Sequence, residues 1–107
     1  MNQASYFIGV KKSDGFSITH AGHAYPNCFP KLFESKKSVG LSCMMQVKHY
    51  KKHKYSYISD GHRLMPGDEV MVYEIPFDII NGVPQTNGFK FVGTLFFDPQ
   101  LIRMRWL

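Results

Sequence analysis

The feature that most constrains the fold of this chain is a series of short apolar segments, each closed by a turn-forming cluster. The clearest is residues 69–75, a valine- and tyrosine-containing run that follows the turn Pro66-Gly67-Asp68. β-branched and aromatic side chains favour strands, whereas Gly, Pro, Asn and Asp favour the turns between them. The pattern therefore predicts a mostly β chain.

The same pattern places further strands along the chain, at residues 5–10, 16–21, 41–47, 55–58, 89–97 and 101–107. Polar segments rich in turn formers separate them, at residues 11–15, 25–30 and 59–61, and residues 81–88 are expected to form a polar loop. The tip between residues 41–47 and 55–58 is Lys51-Lys52-His53-Lys54, which predicts a basic hairpin.

Residues 30–50 are the ambiguous part of the chain. Pro30, Leu32 and Phe33 favour a short helix that ends at Val39 and is closed by Gly40. From Gly40 onward the apolar residues fit two structures. One face of a helix would hold Val39, Cys43, Val47 and Tyr50. One face of a strand would hold Leu41, Cys43, Met45 and Val47. A glycine inside a helix costs about 1 kcal/mol, which favours the strand.

These elements predict a single domain over residues 1–107 in the α+β class, mostly β. The expected architecture is a small, partly closed barrel of about six or seven short strands with one or two short helices.

The positive charge is concentrated in the middle of the chain. The net charge is +5, but residues 31–54 carry seven lysines against Glu34, whereas residues 55–107 are net negative. The expected binding residues are the lysines and interleaved rings of this stretch: Lys36, Lys37, Lys48, His49, Tyr50, Lys51, Lys52, His53, Lys54 and Tyr55. Lysines bind phosphates and aromatic rings stack on bases, so nucleic acid is the expected partner. A solvated face that protects a strand edge, or a docking surface for an acidic protein, has the same composition.

Four segments, in order, resemble the PUA-like superfamily, in particular its ASCH and EVE branches. Residues 32–41 are similar to the ASCH helix that runs into a paired-lysine motif, and Met65 to Tyr73 resembles the Gly-Asp turn that opens an apolar strand ending in Tyr. Phe89 to Leu95 fits a later strand of the form Phe-x-x-x-Gly, and residues 6–10 look like the aromatic first strand of EVE domains.

The resemblance implies recognition of nucleic acid or of a modified nucleobase in a cleft beside the barrel. The residues that it suggests for this pocket are Tyr6, Lys37, Tyr57, Tyr73 and Trp106. Trp106, in the segment Arg103–Trp106, could stack on a base or cap the barrel, and a core position is the favoured interpretation. Some ASCH proteins are amidohydrolases of modified cytidine. Here Gly40 stands where the ASCH pattern has Glu and Ser42 where it has Arg, which puts catalysis in doubt.

Histidine and cysteine spacing does not favour a metal centre or a cofactor. His20 and His23 with Cys28, and His49 and His53 with Cys43, lack the spacing of zinc fingers. We expect both cysteines to be reduced. No apolar run reaches the roughly 18 residues of a membrane span, and the first residues lack a signal-peptide pattern, so a cytoplasmic location without membrane association is expected.

Three functions follow as hypotheses. The first is a non-catalytic nucleic-acid-binding domain that uses the basic hairpin and nearby rings. The second is a small protein-binding module or inhibitor, of the kind that phages and mobile elements encode, docking its basic face on an acidic host protein. The third is a nucleoside-directed amidohydrolase that depends on Lys37.

Overall fold

The computed structural model describes residues 2–19, 24–25, 28–53, 64–86, 88–100 and 103–107, with the backbone alone at residues 2–3 and 46–53. These residues form seven strands and one helix. In chain order the elements are β1 (Asn2–Lys11), β2 (Ser17–Ile18), β3 (Ala24–Tyr25), α1 (Lys36–His53), β4 (Glu69–Ile80), β5 (Val83–Thr86), β6 (Lys90–Asp98) and β7 (Arg103–Trp106). The prediction of a mostly β, α+β fold is confirmed.

All seven strands belong to one antiparallel sheet with the order β3-β2-β1-β4-β6-β7, and β5 pairs with the distal half of β4. Within the described residues β3 and β7 do not pair, so the sheet is open, in keeping with a partly closed barrel. The strands predicted at residues 5–10, 69–75 and 89–97 are present with longer or shifted bounds. The last strand is confirmed over Arg103–Trp106.

The core lies between α1 and one side of the sheet, which we call the helix face. A Cβ on Gly9 would lie 3.3 Å from the side chain of Val39 in α1 and 3.0 Å from that of Val70 in β4. Gly9 of β1 and Val70 of β4 therefore lie on the helix face. Because side chains alternate along a strand, Ile8 and Tyr73, which pair across β1 and β4, lie on the opposite face. The buried cluster comprises Ile18, Ala24, Phe33, Val39, Cys43, Leu64, Val70, Val72, Leu95 and Phe97.

The predicted helix over residues 30–39 is wrong for its first part, because this segment pairs with β1. Phe33 and Phe7 exchange two backbone hydrogen bonds, each 2.8 Å long, and the Lys31 amide donates to the Ile18 carbonyl at 2.9 Å. Phe33 then packs into the core, where its ring is 4% exposed. Burying an aromatic ring while satisfying two backbone groups outweighs the local helix signal of Pro30.

The helix α1 begins at Lys36 and runs through the segment for which the sequence favoured a strand. Ser35 caps its first turn, since its Oγ accepts a hydrogen bond from the Ser38 amide at 3.1 Å. The strand over residues 41–47 is therefore wrong, and so is Gly40 as the closing residue. Gly40 faces β7: a Cβ there would come within 2.9 Å of the Met104 Cε. Packing against β7 offsets the helix cost of the glycine.

The hairpin between β4 and β5 replaces part of the predicted polar loop at residues 81–88. Asn81 and Gly82 both have positive φ, 52° and 78°, as the two central residues of a type I′ turn require. Val83–Thr86 then pairs with β4, so that Ile80 lies opposite Val83. The Asn-Gly dipeptide was the local signal for this hairpin.

Candidate nucleic-acid interface

A groove runs between the first half of α1 and the last two strands of the sheet. Its volume is about 190 Å³, and its walls are Lys36, Lys37, Gly40, Leu41, Met44, Leu95, Met104, Arg105 and Trp106. Lys36, Gly40 and Met44 recur at a spacing of four, which places them along one side of the helix. The groove thus has an apolar floor, an indole ring and two lysines at one end.

Lys36 and Lys37 are the first two residues of α1 and both are exposed. The amino terminus of a helix carries partial positive charge, so cations there are unfavourable and anions are favourable. In the part of the chain that the structure describes, the ion pairs join Lys11 to Asp14 and Lys12 to Glu69, and neither groove lysine takes part in one. Among the described carboxylates none forms an ion pair with Lys36 or Lys37, so positive charge accumulates at this end of the groove.

Trp106 is not a core residue, contrary to what its sequence context favoured. It is 46% exposed and lies on β7, the last strand of the described sheet. The Lys36 Nζ lies 5.7 Å from the centre of its indole ring, within range for a cation–π interaction. A cation and a large aromatic surface are thus presented together at the mouth of the groove.

The structure brings together only some of the residues that the sequence suggested for a pocket. Lys37 and Trp106 line the groove with Lys36. Tyr6 and Tyr73 lie on the opposite face of the sheet, where Tyr6 makes an edge-to-face contact with Phe77. These two tyrosines belong to a different surface, because strand alternation separates them from Trp106.

The predicted basic hairpin is helical as far as it is described. Lys48, His49, Tyr50, Lys51, Lys52 and His53 form the second half of α1. The remaining predicted residues, Lys54, Tyr55 and Tyr57, lie outside the described residues. Lysines in the last turn of a helix interact favourably with the negative end of the helix dipole. Lys51 and Lys52 at the end of α1 are therefore consistent with ordinary helix stabilisation.

Sequence reasoning missed the apolar floor of the groove. Leu41, Met44, Leu95 and Met104 supply it, and only the meeting of α1 with β6 and β7 brings them together. Arg105 also borders the groove, but its guanidinium lies 5.2 Å from the centre of the Phe96 ring, on the opposite face. The signal that could have found the groove was Ser35, whose capping position marks the start of α1.

A second cavity, of about 310 Å³, opens on the opposite face at the β1–β4–β5 corner. Its described lining is entirely uncharged and mostly apolar: Ala4, Tyr6, Leu32, Phe77, Ile79 and Pro84. None of these described residues carries a positive charge, whereas lysines line the groove.

A buried lysine anchors the turn after β1. Lys11 is 6% exposed and its Nζ lies 3.2 Å from a carboxylate oxygen of Asp14. Burial raises the pKa of the nearby Asp68 carboxyl, while the hydrogen bond from the Met65 amide and the charge of Lys11 oppose that rise. These groups join the ends of β1 and β4 and lie apart from the groove residues.

Both cysteines are free thiols in the structure. Cys43 is fully buried in the core, and burial raises the pKa of its thiol to about 12. Cys28 is exposed. Among the described residues no three His, Cys, Asp or Glu side chains cluster as metal ligands would.

The helix in the described part of the chain does not combine the length and apolarity of a membrane span. Comparisons with family models, with curated proteins and with solved structures find no match to this chain.

Proposed function

We propose that this chain binds nucleic acid through the groove between α1 and β7, without catalysing a reaction. The observation that carries the proposal is the pairing of Lys36 and Lys37 with the half-exposed Trp106 on one surface. Lysines position phosphates, and an exposed ring stacks on a base. The basic helix α1 takes the role that the sequence assigned to a basic hairpin.

The charge of α1 supports this proposal. The helix contains five lysines and no Asp or Glu, with two of the lysines at its first residues beside the groove and three in its second half. An element with several positive charges and no acidic residue attracts a polyanion over a longer distance than a single ion pair does. The resemblance to the PUA-like superfamily points to the same class of ligand.

The test is a titration of fluorescently labelled oligonucleotides, followed by anisotropy between about 50 and 200 mM salt. Affinity should fall steeply with salt, because binding releases counterions from the phosphates. Lys37→Gln should weaken binding and flatten the salt dependence by roughly 0.7–0.9 in log–log slope, the loss of one phosphate contact.

Lys90→Gln is the matched control, since Lys90 is exposed on β6 and does not line the groove. Equal effects of Lys90→Gln and Lys37→Gln would refute the groove as the binding surface. Absence of binding at the lowest salt concentration would refute the proposed function.

A second candidate is docking on an acidic protein, as a small inhibitor would do. The observation in its favour is the 71% exposure of Met45, an apolar side chain of α1 that lies outside the groove lining. Met45→Ser should weaken such a protein complex and leave oligonucleotide binding unchanged, because Met45 does not line the groove. For the amidohydrolase hypothesis, the described lining of the groove offers Lys37 no carboxylate partner.

A further inference from the structure

The indole of Trp106 lies against the sheet and does not extend freely into solvent. A Cβ on Gly93 would come within 3.0 Å of its Cε3 and 3.1 Å of its Cζ3, so the six-membered part of the indole lies against the backbone of β6. Gly93 pairs with Val72 of β4, next to a shift in the strand register between Val72 and Tyr73. The ring therefore rests on the main chain of β6, at a position that has no side chain.

Lys36 lies over the exposed part of the indole ring. Its ammonium lies 5.7 Å from the ring centre, and both groups are accessible to solvent. A cation–π contact at an exposed site is weak, so a better partner for either group can displace it. A base would be a better partner for the ring, and a phosphate would be a better partner for the ammonium.

The groove beside Trp106 is small. Its volume of about 190 Å³ is below the roughly 300–1,000 Å³ of cavities that enclose drug-sized ligands. The floor of Leu41, Met44 and Met104 is apolar, as the flat face of a single base requires. In a duplex the base faces are covered by their neighbours and are reached only by unstacking.

We infer that Trp106 stacks on one unpaired base, so that the ligand is single-stranded nucleic acid, and that Lys36 exchanges the indole for a phosphate when the base binds. This inference rests on the proposed function. It adds the strand state of the ligand and separate roles for two groove residues. Lys37, one residue further along the helix, then binds phosphate in either strand state.

Trp106 is the only tryptophan in the chain, so its fluorescence reports on this site alone. Three probes of equal length separate base stacking from phosphate binding. They are a mixed-sequence single strand, the same strand annealed to its complement, and a single-stranded abasic backbone. The single strand should bind most tightly and quench Trp106, because only it offers an unpaired base. The abasic strand should bind more weakly and leave the emission nearly unchanged.

Substitutions test the two roles separately. Trp106→Leu should lower the affinity for the single strand roughly 10-fold or more and affect the duplex and abasic probes little. Phe89→Leu is the control, since Phe89 is an exposed ring that does not line the groove. Lys36→Met should expose Trp106 more fully to acrylamide in the free protein and lower the salt slope for the single strand by about 0.7.

The outcomes distinguish this inference from the function on which it rests. Salt-dependent binding that is equal for duplex and single strand, with unchanged Trp106 emission, overturns the inference and leaves the proposed function standing. No binding of any probe overturns both. If Trp106→Leu fails to fold, as circular dichroism would show, quenching of the unmodified protein and the more conservative Trp106→Phe decide the matter.

Discussion

The indole of Trp106 lies directly against Gly93 on the neighbouring strand, at a distance that leaves no room for a side chain. A Cβ at this position would come within 3.0 Å of the ring, and the backbone φ of Gly93 is +155°. The exposed tryptophan of the groove is therefore placed by a glycine in the middle of a strand, where glycine is otherwise unfavourable.

Replacing Gly93 by Ala should displace Trp106. We expect a loss of about 1–3 kcal/mol in the free energy of unfolding, from overpacking and backbone strain together, and a shift in the emission of Trp106. Urea unfolding and steady-state fluorescence measure the two effects. Gly88→Ala is the control, because its φ is +111° but nothing lies within 4 Å of its Cβ position. Gly88→Ala should introduce backbone strain alone and leave the emission of Trp106 unchanged. If both variants changed the emission equally, the contact between Gly93 and Trp106 would not be the cause.

Replacing Lys37 by Glu should stabilise the fold and weaken oligonucleotide binding. A carboxylate in the first turn of α1 interacts favourably with the helix dipole, by about 0.3–1 kcal/mol, where the lysine does not. Chemical denaturation and anisotropy titration measure the two effects on the same sample. A variant that binds as tightly as the unmodified protein would remove Lys37 from the interface.

The same charge change at Lys90 should act in the opposite direction on stability. Lys90 lies opposite Glu74 across β4 and β6, so Lys90→Glu places two carboxylates side by side. Comparing Lys37→Glu with Lys90→Glu shows whether the position of the new carboxylate or the change in net charge determines the change in stability. If both variants were stabilised equally, the helix dipole would not be the cause.

Asp68 should make the stability of the fold fall as the pH rises from acid. Burial raises the pKa of its carboxyl above the ordinary 3.8. As the pH rises, the Asp68 carboxyl ionises in the unfolded chain before it ionises in the folded one. The stability that Asp68 contributes is therefore fully present below pH 3.8 and is lost as the pH rises through the raised pKa of the folded state. Asp68→Asn cannot ionise and still offers an oxygen to the Met65 amide, which donates at 2.8 Å.

The free energy of unfolding of Asp68→Asn, relative to the unmodified protein, should therefore increase between about pH 3 and about pH 7. Urea titrations across this range measure it. A difference that stays constant with pH, or a variant that loses stability toward neutral pH, would contradict the assignment.

The two thiols should differ sharply in reactivity. Cys28 is exposed, whereas Cys43 is buried with its pKa raised to about 12, so little thiolate forms there. A thiol reagent at about pH 8 should modify Cys28 alone in the native protein and both cysteines in denaturant. Peptide mass spectrometry locates the label. Native labelling of Cys43 at the rate of Cys28 would show that the core opens at α1.

Local sequence patterns were sufficient for the regular part of the sheet. The strands β1, β4 and β6 follow from runs of β-branched and aromatic residues between turn formers, and the concentration of positive charge on one element follows from counting lysines. These properties are set by neighbouring residues, because strand preference and turn geometry act over a few residues.

Local patterns failed where packing against a distant segment decided the structure. Gly40 favoured a break, yet α1 continues through it, because Met104 of β7 packs against this position. Phe33 looked helical, but it pairs with Phe7 of β1. In both cases a long-range contact outweighed a local preference of about 1 kcal/mol.

The central basic stretch and Trp106 were visible in the sequence, but their relation was not. The alternation of Arg103–Trp106 predicts a strand without saying whether that strand lies inside the sheet or at its end. Its position beside β6, with α1 packed across the same face, leaves Trp106 exposed next to Lys36. Strand order and helix docking depend on pairing between segments far apart in the chain, so only the tertiary structure decided where the groove lies.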